Sequence, residues 1–123
     1  MSLQVLIVDD NATNLKLASE VLGMEGHSVL RAGDANEALA ILRNSRPDLI
    51  LMDIALPGMD GLELTRQLKA RPDLAGVPIV ALSAFAMRGD EERALSAGCD
   101  GYITKPINTR TFPAQVTAYL TRV

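Results

Sequence analysis

A chain of 123 residues with 12 basic and 15 acidic side chains, formal net charge −3, fits one domain with a single core, and this charge excludes a non-specific nucleic-acid binder. Its one cysteine excludes an internal disulfide and agrees with a reducing compartment. The N-terminal MSLQVLIVDD lacks the basic lead of a signal peptide, and no apolar run nears the ~18 residues of a membrane span, so no membrane contact and a cytoplasmic home are expected.

Gln4–Val8 is a short β-branched run and reads as a buried strand. Asp9, Asp10 and Asn11 end it and can cap a helix in which Leu15, Ala18 and Leu22 recur, until Gly23 and Gly26 stop it. Ser28–Ala32 predicts a second strand. Gly33-Asp34 then turns into a helix with Ala35, Ala38, Leu39 and Leu42 on one face, closed by Pro47. Leu49–Met52 reads as a strand buried on both faces. Asp53 follows at once, and Pro57-Gly58 and Asp60-Gly61 break the run.

Leu64 and Leu68 mark a third helix after Gly61, with Arg66, Lys69 and Arg71 on its exposed side and Pro72 at its end. Pro78–Leu82 is a fourth strand carrying Ser83 at its end. A helix around Asp90–Ala97 is thin in apolar residues and stops at Gly98. Gly101–Thr104 is a fifth strand, followed by Lys105-Pro106. Phe112, Val116, Tyr119 and Leu120 form the stripe of a last helix. Pro113 would clash in its second turn if it began near Asn108, so a late start or a distorted first turn is expected. His27 reads as a surface loop residue, and Cys99 and the methionines as packing.

Strand and helix alternate five times with short connections, which calls for an α/β fold: a parallel sheet with helices on both faces over residues 1–123. Right-handed crossovers fit the doubly wound, flavodoxin-like order 2-1-3-4-5. In such a sheet ligands bind beyond the carboxyl ends of the strands, between strands one and three. Asp9 and Asp10 follow strand one, Asp53 strand three, Ser83 strand four and Lys105 strand five, so all five share one edge.

Three crowded carboxylates repel, each pair at ~4 Å costing about 1 kcal/mol in water and about 4 at an effective dielectric of 20. Hard oxygen ligands without His or Cys suit Mg²⁺, which takes one or two carboxylates and leaves room for phosphate oxygens. Lys105 adds a mobile point charge and Ser83 a small donor. Those parts describe a carboxylate nucleophile prepared for phosphoryl transfer. A salt-bridged acidic cluster with Lys105 as its counter-ion is the plainer alternative.

The chain resembles a two-component response-regulator receiver domain over essentially its whole length. VDD at Val8–Asp10, LMDIALPGMDG at Leu51–Gly61, ALSA at Ala81–Ala84 and GYITKP at Gly101–Pro106 fit that family's pattern in order. It looks closest to the stand-alone receivers, with no output domain expected. The resemblance implies that Asp53 accepts a phosphoryl group from a phosphohistidine on a histidine kinase or histidine phosphotransfer protein. It implies Mg²⁺ on Asp10, Asp53 and the backbone carbonyl of Ala55, with Asp9 acting through water. Lys105 would pair with the phosphoryl oxygens and Ser83 would hydrogen-bond one of them. Tyr102 holds the switch-aromatic position; a half-buried strand tyrosine is the plainer reading. The Lys105–Pro106 bond is cis in the family. The positions that tune phosphoryl lifetime are Ala55 and Phe85, both apolar, which implies slow self-dephosphorylation and no other enzymatic activity.

Phosphorylation adds charge and acceptor oxygens that can bias the face made by helix four, strand five and helix five. A tenfold population change needs ~1.4 kcal/mol, roughly one or two hydrogen bonds to a charged group. That face is the expected surface for a downstream protein target, with Arg88, Glu91, Glu92 and Arg93 as specificity candidates, on a monomer or weak dimer. Two other classes stay open at this stage. One is a receiver-like binding module that no longer uses phosphate. The other is a flavin carrier or aspartate-nucleophile hydrolase, against which stands the lack of G-x-G-x-x-G and of a P-loop.

Overall fold

The computed structural model describes residues 3–54, 61–83, 90–104 and 107–120, the side chains of 90, 91 and 120 excepted. Along the chain come β1 (Gln4–Val8), α1 (Ala12–Met24), β2 (Ser28–Ala32), α2 (Ala35–Ile41), β3 (Leu49–Asp53) and α3 (Gly61–Lys69). A 3-10 turn (Pro72–Leu74) follows, then β4 (Ile79–Ser83), α4 (Asp90–Ser96), β5 (Gly101–Thr104) and α5 (Phe112–Leu120). The five strands pair in parallel in the order β2-β1-β3-β4-β5, as the alternation required.

The period of two along each strand splits the core into two layers. Val5 and Ile7 of β1, Leu49 and Leu51 of β3, Val80 and Leu82 of β4 and Ile103 of β5 face α1 and α5, which cover them with Ala18, Leu22, Phe112 and Val116. Leu6, Val8, Ile50, Met52, Ile79 and Ala81 face the other way, under α2, α3 and α4. β3 and β4 are buried along their whole length. Their unbroken apolar runs are therefore what a strand covered on both faces needs.

Several boundaries differ from the sequence reading. β3 and β4 each run one residue further, so Asp53 and Ser83 are the last residues of their strands. α1 continues through Gly23 to Met24. Helical rotation turns Met24 away from Leu22, leaving it 87% exposed instead of packed. α2 ends at Ile41, well before Pro47, because Arg43 and Asn44 bond the carbonyls of Ala40 and Ile41 and tighten the chain into turns. α5 starts late, at Phe112, which places Pro113 in the first turn, where its missing N–H costs no intrahelical bond.

Arg71 is partly buried instead of exposed. Its guanidinium donates to the Leu42 carbonyl at 3.3 Å and grips Asp73 at 3.0 and 2.7 Å, hydrogen bonds that hold the Asp73 carboxyl below the usual carboxylate range. His27 is half-buried, with an Nδ1 that has no hydrogen-bond partner among the described residues. Cys99 is buried, as a packing role predicts. At the pole of the sheet away from Asp53, Asp100 accepts from Lys69 Nζ at 2.6 Å and from the Ile79 N–H at 2.8 Å, tying α3 to the start of β4. Gly101 opens β5 against the Tyr119 ring, and any Cβ there would overlap that ring.

Candidate functional site

The strand register brings the first and third strand ends together. Val8 pairs with Met52, so Asp9 and Asp53 each stand one residue beyond that pair. Two further bonds extend the sheet at this edge, Asp9 N–H to the Ala32 carbonyl at 3.0 Å and Ile54 N–H to the Leu82 carbonyl at 3.1 Å. Asp9 and Asp53 are buried and Asp10 is exposed. One oxygen from each of the three carboxylates lies within 4.8 Å of the others.

Two local devices hold the cluster. Asp9 accepts the Asn11 N–H at 2.9 Å, and the Asn11 side chain accepts the Asn14 N–H at 3.0 Å, capping α1. The positive end of that helix thereby starts directly beside the carboxylates and lowers the cost of gathering them. The second device is Gly61, the first residue of α3. A Cβ there would overlap the Asp53 carbonyl oxygen and sit 2.8 Å from Ile54 Cα. Only glycine lets α3 begin against the end of β3. In the sequence Gly61 reads only as part of the turn that breaks the apolar run, and its closeness to Asp53 has no local signal.

Ser83 is buried at the end of β4, in register with Thr104 of β5. Tyr102 is half-buried and packs against the layer that holds Met52, Ile54 and Ala81. Glu92 and Arg93 are exposed on α4. Lys105 and Ala55 lie outside the described residues, as do Phe85, Arg88, the Lys105–Pro106 bond and the Glu91 side chain. Beside the cluster, Asp10, Ala12, Leu15, Arg31, Gly33 and Glu37 line a cavity of about 360 Å³. Arg31 is not among the expected site residues; its one signal is a cation between the apolar Leu30 and Ala32 of the strand SVLRA.

The donor set fits a hard divalent cation: three carboxylates close enough to share one ion, with no nitrogen or sulfur ligand among them. Holding all three ionised without a cation costs repulsion, which an ion would cancel. Ser83, buried at the end of β4, stands on the strand next to β3, whose end carries Asp53.

Comparison with known proteins places this geometry. The family model for the response regulator receiver domain matches residues 5–117. The polar-differentiation response regulator DivK of Brucella anthropi is 45% identical over 120 residues, covering 98% of both chains. The chemotaxis response regulator CheY4 of Vibrio cholerae superposes with a TM-score of 0.91 at 27% identity, over 97% of this chain and 99% of that one. A BeF3-activated DrrB receiver domain gives 0.86 at 27% identity, over 99% and 100%. The chain belongs to the response regulator receiver domain family, and it is a phosphoacceptor signalling module of a two-component system. Among the described residues no helix is long and apolar enough to cross a membrane.

Proposed function

We propose that Asp53 is the phosphoacceptor and that its donor is a phosphohistidine on a histidine kinase or histidine phosphotransfer protein. An Asp53 carboxylate oxygen attacks phosphorus; the new O–P bond forms as the P–N bond breaks, and its electron pair returns to the imidazole. Asp10, Asp53 and the backbone carbonyl of Ala55, with Asp9 acting through water, would hold Mg²⁺, which neutralises charge on the transferring group. Lys105 pairs with the phosphoryl oxygens and Ser83 donates a hydrogen bond to one of them. Tyr102 follows Ser83 inward, and the face of α4, β5 and α5 then presents a changed surface to a downstream protein. Ala55 and Phe85 cannot orient a water, so loss of the phosphoryl group is slow. Residues 1–123 act as one receiver domain in the cytoplasm, as a monomer or weak dimer. The relatives named for polar differentiation support a role in setting up differences between cell poles.

One observation carries this reading: three carboxylates at the ends of β1 and β3 gathered within 4.8 Å, with a buried serine ending β4. Incubation with acetyl phosphate and Mg²⁺, read by intact mass, tests it. The wild-type chain gains one phosphoryl group and Asp53→Asn gains none. Equal uptake by Asp53→Asn would overturn the assignment.

A further inference from the structure

We infer that Arg31 is an electrostatic positioning residue for the acidic site, one that weakens divalent-cation binding there while drawing in the anionic phosphodonor; this rests on the metal and phosphoacceptor roles proposed above. Arg31 lies on the edge strand β2, one residue before Ala32, whose carbonyl accepts the Asp9 N–H at 3.0 Å. Its neighbours Leu30 and Ala32 pack under α2 and α3. By alternation Arg31 therefore belongs to the α1 side of the sheet. There it lines one cavity with Asp10, the exposed member of the carboxylate cluster, and with Glu37. Glu37 is already engaged, accepting the Gly33 N–H at 2.6 Å. The side chains of Arg31 and Asp10 make no hydrogen bond or ion pair with another described residue. The guanidinium is thus a charge whose field reaches the cluster without a fixed partner to cancel it.

Coulomb's law gives Arg31 two effects of opposite sign. It repels a divalent cation bound at Asp10, and it attracts a dianionic donor approaching Asp53. At a separation of about 10 Å, a unit charge changes divalent-ion binding about threefold at ~10 mM salt and less as screening grows. Damage to the fold would weaken metal binding and slow phosphorylation together. A purely electrostatic residue moves them in opposite directions.

The test is a charge series at position 31: wild type, Arg31→Lys, Arg31→Gln and Arg31→Glu. Mg²⁺ affinity is measured by calorimetry, and the initial rate of phosphorylation by acetyl phosphate is measured by intact mass at saturating Mg²⁺. Arg31→Lys should match wild type. Arg31→Gln should bind Mg²⁺ about threefold tighter and react about twofold slower, with Arg31→Glu further in both directions and the differences fading in ~0.5 M salt. A flat series, or affinity and rate falling together, would overturn the role of Arg31. Failure of the wild-type chain to bind Mg²⁺ at all would instead overturn the reading of the acidic site.

Discussion

Replacing Asp10 by Asn should stabilise this protein when divalent ions are absent. Asp10 is exposed, makes no hydrogen bond to a described residue, and stands within 4.8 Å of carboxylate oxygens on both Asp9 and Asp53. At that distance each like-charge pair costs about 0.9 kcal/mol in water and about 3.5 at an effective dielectric of 20. The exposure of Asp10 favours the lower figure, so removing its charge relieves two pairs and about 2 kcal/mol. With unfolding entropy near 2 cal/mol/K per residue, that corresponds to a melting temperature higher by about 8 °C. Thermal melts in EDTA at low salt measure it, alongside urea titrations. Mg²⁺ bound as proposed would stabilise the wild type by mass action, about 1.4 kcal/mol at ten times its dissociation constant, so the gap should narrow when the ion is added. Raising ionic strength to ~1 M, where screening acts within about 3 Å, should narrow it too. An Asp10→Asn variant no more stable than wild type in EDTA would refute the claim that the carboxylates repel one another in the folded state.

Gly61→Ala forces a methyl group into the Asp53 carbonyl and Ile54 backbone, neither of which is a flexible side chain. It should cost about 3 kcal/mol and weaken Mg²⁺ binding, checked by urea denaturation and calorimetry; wild-type values in both would show that α3 shifts freely. Burial raises the Cys99 thiol pKa above its ordinary value, so the folded state favours the protonated form. That contribution is complete below the ordinary thiol range and is lost as pH climbs from there through the raised value. Iodoacetamide at pH 8 should therefore label Cys99 only in urea, and rapid labelling of the native protein would contradict this. Ala55→Asn supplies an amide able to orient water and should shorten the phosphoryl lifetime several-fold. Timed loss of phosphate measures this, and an unchanged or slower rate would count against the role of Ala55.

The sequence by itself determined the strand and helix order, because four-residue apolar runs and helical stripes are local patterns that one core of this size can satisfy in few ways. It also placed Asp9, Asp10, Asp53 and Ser83 at strand ends, since each residue directly follows or closes such a run. The tertiary structure decided what depends on register and close approach. Pairing Val8 with Met52 is what sets the acids within 4.8 Å of one another. The contact of Gly61 with Asp53, the cavity shared by Asp10 and Arg31, and the grip of Arg71 on Leu42 and Asp73 join elements whose spacing along the chain carries no trace of their meeting. Helix ends such as that of α2 fell to the structure for a related reason: they stop where the chain must turn toward the next strand, and the wait for a proline is not what ends them.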